Sequence, residues 1–305
     1  MSIPTILVFG ASGQIGGALV EELAADHAAG RVRLIAGVRR SSAADALRAR
    51  GIEARVLDLD RPEVEGLASL TAALAGVDRV FLLTGYDVRM LAQSKASIDA
   101  ARAAGVSHVV HLGAYAADDT TIVHLGWHQM IEACLARSSL GHTNLRPNWF
   151  MQNLLAYGGR NSARPGVITG YIGDARPSWV DTADIAAVAA AILRDPAAHN
   201  GQTYPLATEA ASFAEIARQL EMETGRTWRY DSAEPQAFFE AVTAAGADPV
   251  YMACVRNVFE RTRDGSLTEA SDVFDTVERL TGRAPTSLRD FIAKHRETFA
   301  YPLAS

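Results

Sequence analysis

Lysine is nearly absent from this chain: Lys95 and Lys294 are the only two among 305 residues, and Asp plus Glu outnumber Lys plus Arg by 35 to 29. With a formal net charge of −6 there is no basic field to hold a phosphate backbone, which speaks against nucleic-acid binding. Cysteine is equally scarce. Cys134 and Cys254 stand far apart in alanine-rich surroundings, which suggests neither a disulfide framework nor a spaced metal cluster and fits a reducing, cytoplasmic setting. Long apolar runs are missing as well: the strongest candidate, 185–193, is closed by Arg194 far below membrane-spanning length and reads as a core helix. The stretch before Gly10 lacks the cationic start and the length of a signal peptide. No repeat, low-complexity linker or charge block marks off independent modules.

What is present is ample apolar material, 49% of the residues, enough to bury one large α/β unit or two unequal lobes. Up to Pro147 short apolar runs alternate with longer alanine-rich stretches, the pattern of repeated strand–helix units on a parallel sheet. Strands are predicted at 6–9, 32–38, 54–57, 79–83, 108–112 and 143–146; continuous apolar centres mean that both faces are covered. Helices are predicted at 15–25, 43–50, 63–75, 88–104 and 124–137, with Gly51, Gly76 and Gly105 as stops. After Pro147 the texture changes to Gly158-Gly159, Arg164-Pro165-Gly166, Gly170 and Gly173, then to helices announced by capping boxes at Ser212–Glu215 and Ser287–Asp290. A strand at 203–206 is expected to return to the main sheet. The expected architecture is an α/β Rossmann-type, doubly wound parallel sheet over 1–157, completed by segments near 178–210, with a smaller C-terminal α+β substrate lobe over 158–305.

The run Gly10-Ala11-Ser12-Gly13-Gln14-Ile15-Gly16 follows an apolar strand and opens a helix, the context a dinucleotide fingerprint requires. Gly10 allows the tight turn, Gly13 lets the backbone approach a pyrophosphate, and Gly16 permits close helix–strand packing; Ser12, Gln14 and Ile15 supply nearby amides. A ligand-free glycine turn would look similar, but the strand–helix repeats that follow favour binding. The acidic residue that would meet an NAD ribose about 20 residues further on is missing. Arg39 and Arg40, followed by Ser41 and Ser42, stand after the second strand instead, so NADP(H) is favoured over NAD(H), the alternative being a solvated basic loop. Asp58-Leu59 and Thr84-Gly85-Tyr86, just past the third and fourth strands, have privileged access to adenine and to the nicotinamide half.

On Val8 to Gly16, Ala103-Ala104-Gly105-Val106, the stretch from Leu145-Arg146-Pro147-Asn148-Trp149-Phe150 to Asn153, and Val180-Asp181-Thr182-Ala183-Asp184, the sequence resembles the NmrA-like branch of the atypical short-chain dehydrogenase/reductases. That branch includes quinone reductases, triphenylmethane-dye reductases and redox-sensing regulators. The resemblance implies a Rossmann-like domain with a small C-terminal substrate lobe, Arg39 near the adenosine phosphate, and Asn148 and Phe150 near the nicotinamide. It also sharpens a departure. The wider superfamily polarises a carbonyl with a serine after the fifth strand and a Tyr-x-x-x-Lys helix, whereas this chain has Gly113-Ala114 and His124-Leu125-Gly126-Trp127-His128.

The two histidines face the same way one helical turn apart. His128 could donate a hydrogen bond to the nicotinamide ribose, and His124 or Tyr115 could protonate product; equally, both histidines could serve packing. Zinc is not expected, since neither the HExxH glutamate nor a nearby Cys or carboxylate set accompanies them. His108 and His111 are assigned to their strand. Trp127, Trp149, Phe150 and Trp179 could wall a pocket for a flat substrate, or simply fill the core. The function expected is NADPH-dependent hydride transfer to a quinone, iminium or conjugated carbonyl. A non-catalytic NADP(H) redox sensor, or an isomerase or lyase, is the alternative. The partner is a small molecule, with no nucleic acid or membrane, and the protein is a monomer or homodimer.

Overall fold

Apolar runs that alternate with amphipathic stretches can bury both strand faces only by stacking helices on each side of a parallel sheet. The computed structural model, which describes residues 3–60, 64–155, 163–164 and 166–300, shows this arrangement. The units run β1 (Thr5–Phe9), α1 (Gln14–Ala28), β2 (Arg33–Val38), α2 (Ser41–Arg48), β3 (Glu53–Val56), α3 (Val64–Ala73), β4 (Arg79–Leu82), α4 (Met90–Ala103), β5 (His108–Leu112), α5 (Val123–Arg137) and β6 (Gly141–Pro147). Next come β7 (Trp149–Phe150), β8 (Ala163–Arg164), β9 (Val167–Gly170), β10 (Ser178–Val180), α6 (Thr182–Arg194) and β11 (Gln202–Leu206). The chain continues with β12 (Glu209–Ala210), α7 (Phe213–Thr224), β13 (Arg229–Ser232), α8 (Pro235–Ala244), α9 (Pro249–Arg263), α10 (Thr276–Thr281), α11 (Leu288–Lys294) and α12 (Arg296–Ala300).

Seven strands form the main sheet in the order β11-β6-β5-β4-β1-β2-β3, so the expected return of 203–206 takes place at the β6 edge. Val8 pairs with Ala36 on one side and Phe81 on the other, in parallel register. The strand order reverses between β1 and β4, which makes the crevice outside their carboxyl ends the switch point where such sheets bind ligands. Gly51, Gly76 and Gly105 adopt φ of +79°, +70° and +77°, the left-handed turns expected of helix stops. The expected lobe boundary at 157/158, the pair Gly158-Gly159, Glu63 at the start of the predicted third helix, and Pro165 lie outside the described residues.

The chain divides into two compact units, the first drawn from Met1–Ala114, Gly126–Arg146 and Ile185–Tyr204, the second from Tyr115–Leu125, Pro147–Asp184 and Pro205–Ser305. The first is cored by Ile6, Leu7, Leu19, Leu23, Leu34, Ile35 and Phe81, all fully buried. The apolar run from Ile185 to Leu193 is buried there too, and Arg194 closes it by bonding Asp26. The second unit holds two three-stranded sheets, ordered β12-β10-β7 and β13-β9-β8, with α7 to α12. Its core is aromatic. Trp179 is wholly buried and donates its indole N–H to the Ala211 carbonyl, while Trp149 meets it edge-on at 5.4 Å and lies 5.5 Å from Phe259. Trp179 is thus part of the packing of this unit rather than an open wall. Among the described residues no helix is long and apolar enough to cross a membrane.

Candidate functional site

The first unit gathers the glycine run and the strand ends along one edge of its sheet, because parallel strands bring their carboxyl ends to the same side. Gly10 turns with φ of +64°, and a β-carbon there would run into the Leu83 side chain. A β-carbon on Gly13 would lie 3.2 Å from the Gly10 carbonyl oxygen, and one on Gly16 would overlap that oxygen and lie 2.6 Å from the Gly10 carbonyl carbon. The three glycines are therefore what lets strand, turn and helix come this close. Helix α1 starts at Gln14 with Gly13 as its cap residue, with no side-chain cap and no acidic residue in its first turn. Uncapped amides and the positive end of the helix dipole suit an anion such as a diphosphate.

Past the end of β2, Arg39 and Arg40 are exposed, as are Ser41 and Ser42 at the start of α2. Neither arginine donates a hydrogen bond to a described residue, and the Arg39 charge helps hold the Asp87 carboxyl below its usual range, after the larger effect of Arg89. Two exposed guanidiniums, two hydroxyls and no acid at the strand end fit a phosphate monoester better than a bare ribose diol. Asp58 accepts from the Asp60 amide at 3.0 Å within its own loop, and Gln93 donates to Asp60 at 2.9 Å. Thr84 and Gly85 follow β4, and a β-carbon on Gly85 would approach nothing closer than Asp87 at 3.8 Å. The residues present fit an NADP-type dinucleotide.

Also in the first unit are His111, at the carboxyl end of β5, and His128, half-buried on α5. Their ring centroids are 5.8 Å apart. Burial pushes the His111 imidazole down to about 3, so it stays neutral. Glu132, one turn beyond His128, is buried and bound to Arg146 at 3.0 and 2.6 Å. Sequence reasoning assigned His111 to its strand without a functional role and did not single out Glu132. The available signal for His111 was an ionisable residue which, like His108, stands among apolar strand positions and needs a reason to be buried.

The second unit holds Tyr115, His124, Asn148 and Phe150. Tyr115 donates to Asp272 at 2.6 Å, a partner the sequence does not announce, and meets Phe274 edge-on at 5.1 Å. His124 is buried, stands edge-on to Tyr251 at 5.2 Å, and is driven by burial down to about 4. Asn148 donates from its amide to Ser178 at 2.8 Å and to the Ala270 carbonyl at 3.0 Å, which fixes the turn leading into Phe150. Among the described residues no group of three or more His, Cys, Asp or Glu could hold a metal ion.

Comparison with known proteins places this arrangement. The model of the NmrA-like family matches residues 3–290. Over 296 residues the chain is 32% identical to the NAD(P)H azoreductase of Xenophilus azovorans, covering 96% of this chain and 99% of that one. In structure it is similar to the triphenylmethane reductase of a Citrobacter species, with a TM-score of 0.80 and 26% identity over 96% of this chain and 99% of that one. It is likewise similar to the NADPH-dependent quinone oxidoreductase of Escherichia coli complexed with NADPH, with a TM-score of 0.78 and 29% identity over 95% and 99% of the two chains. A glycine crossover at the switch point, a parallel seven-stranded sheet and a family match across nearly the whole sequence lead to one conclusion: the chain belongs to the NmrA-like family.

Proposed function

We propose that this protein is an NADPH-dependent oxidoreductase that delivers hydride to a flat, electron-poor small molecule such as a quinone, a dye iminium or a conjugated carbonyl. The observation that carries the reading is the anion cradle at the end of β1: three glycines whose β-carbons have no room, before an uncapped helix, with Arg39, Arg40, Ser41 and Ser42 past the end of β2. The relatives named for azo, triphenylmethane and quinone reduction support the acceptor class. When bound, the dihydronicotinamide supplies the hydride.

The chain's own residues bind and orient. Amides of Ser12, Gln14 and Ile15 hold the diphosphate, Arg39 the 2′-phosphate, Asp58 and Leu59 flank adenine, and Thr84 and Gly85 the nicotinamide half. Asn148 and Phe150 shape the nicotinamide contact. His128, the more accessible of the two helix histidines, bonds the nicotinamide ribose, and Tyr115, its hydroxyl steered by Asp272, faces product protonation. Stacked acceptors of this class need positioning more than a strong protein acid, so the missing serine and Tyr-x-x-x-Lys relay cost them little. His124, buried against Tyr251, contributes by holding its part of the second unit.

Loss of NADPH absorbance against a panel of quinones, dyes, imines and enones tests the reading. Turnover with at least one class is expected. Tight NADPH binding with no consumption across the panel would instead support a redox sensor, the reading that the missing proton relay favours. Arg39→Ala is expected to weaken NADPH about tenfold or more, the value of a charge-assisted bond, and to leave NADH almost unchanged; equal losses for both nucleotides would remove the phosphate assignment.

A further inference from the structure

Asn148 directly follows β6, and within the second unit its turn is pinned by backbone and side chain alike. Its main-chain amide donates to the Leu206 carbonyl at 3.0 Å, and the Pro147 carbonyl before it accepts from the Tyr115 amide at 2.9 Å. The side chain adds a further anchorage. Its carboxamide lies 2.8 Å from the Ser178 hydroxyl and 3.0 Å from the Ala270 carbonyl, and the same hydroxyl reaches that carbonyl at 3.3 Å. A backbone carbonyl only accepts, so the amide atom facing it is Nδ2; Ser178 gives its single proton to Ala270, and its oxygen accepts from Asn148. Ser178 is fully buried and Ala270 is buried too. These contacts hold the carboxamide in one orientation.

Both Nδ2 hydrogens are thereby committed, and the side chain can offer a ligand only its oxygen. No described group donates to Oδ1, and Asn148 is half-buried, so this acceptor is not sealed in the interior. An acceptor aimed before anything binds recognises an N–H or O–H without the cost of ordering a mobile side chain. It also stands just past the carboxyl end of a parallel strand, the edge at which ligands of such sheets arrive. The nicotinamide ring carries N–H donors only on its carboxamide, and stacking would strip them of water and leave them in need of an acceptor. Resting on the reading of this protein as an NADPH-dependent reductase, we propose that Asn148 Oδ1 accepts the carboxamide N–H of the nicotinamide, with Ser178 and the Ala270 carbonyl as the groups that aim it. The side chain reads the reactive end of the nucleotide, a task that the glycine turn and Arg39 leave open.

Calorimetric titration with NADP⁺ and with its 3-acetylpyridine analogue, in which a methyl group replaces the carboxamide nitrogen, tests this without turnover. The unmodified protein is expected to bind NADP⁺ about fivefold more tightly than the analogue, the worth of one neutral hydrogen bond. Asn148→Ala is expected to bind the two alike. Ser178→Ala, which removes one of the two anchors, is expected to keep a preference of about twofold. Adenosine 2′,5′-bisphosphate, which lacks the nicotinamide half, is expected to bind all three proteins equally, and so separates a lost contact from a damaged fold. Equal affinity of the unmodified protein for NADP⁺ and the analogue, or a preference that survives Asn148→Ala, would overturn the proposal. If Asn148→Ala fails to fold, an undiminished preference in Ser178→Ala overturns it. Failure of the folded protein to bind any nucleotide would sink the functional reading itself, whereas equal binding of the two removes only this assignment.

Discussion

A β-carbon at Gly16 has nowhere to go: the Gly10 carbonyl and, at 2.9 Å, the Ala11 amide nitrogen occupy the space, and both are backbone that cannot swing aside. The adjacent Gly17 is different, since its β-carbon would meet only the Ala11 carbonyl at 3.6 Å, an ordinary contact. Gly16→Ala is therefore expected to destabilise the fold by about 1–3 kcal/mol and to abolish measurable NADPH binding. Gly17→Ala is expected to stabilise it by up to about 1 kcal/mol, as alanine does in a helix interior, with binding retained. Urea midpoints and calorimetric titration of the pair check this, and similar behaviour of the two variants would refute the steric account. Motif spacing alone singles out Gly16, because the constraint is local and written within seven residues. The tie of Tyr115 to Asp272 is not local; it spans 157 residues, and no short-range pattern encodes which distant carboxylate arrives.

Among elements, strands β1, β2, β4 and β5 of the main sheet were legible because each is centred on an apolar run, and β5 begins and ends where the alternation places it. The two small sheets of the second unit were not. Strands β7, β8 and β12 have two residues each, too short to show a period of two, and their pairing is imposed by tertiary packing. Helix α7 shows the opposite case, an end fully written in sequence. Ser212 accepts from the Glu215 amide at 3.3 Å while the Glu215 carboxylate accepts from the Ser212 amide at 2.8 Å, a reciprocal cap. That bonding, with Arg176 beside it, holds the Glu215 carboxyl below its ordinary value. Ser212→Ala is expected to cost about 1 kcal/mol, read as a lower urea midpoint, and Ser212→Asp to cost much less because aspartate also caps. Ser287 caps α11 by the same first bond, from the Asp290 amide at 3.1 Å, so Ser287→Ala is expected to act in the same direction.

For the molecule as a whole, three imidazoles are buried neutral, and their effects add. Burial is the largest cause in each: it drives His108 to about 4, with smaller pushes from His142, Arg79 and His199, His111 to about 3, and His124 to about 4. His108 is bound to Thr143 at 2.9 Å, so its ring has a structural role in the unprotonated form. Each folded-state value lies below the unfolded value near 6.5, so the unfolded chain takes up protons first as the pH falls. The stability these groups contribute is complete above about pH 6.5 and is lost on acidification toward the folded values, at a limiting rate of about 1.4 kcal/mol per pH unit for each ring. Asp184 works the other way. Burial raises its carboxyl despite bonds from Thr286, so its protonation favours the folded state in acid, but it is one group against three. Urea midpoints are therefore expected to hold steady between pH 8 and 7, to fall steeply between pH 6 and 5, and to fall less steeply when His108 is replaced by Gln. A midpoint that is flat or rises from about pH 6.5 to 5 would refute the assignment of three neutral, buried imidazoles to the folded protein.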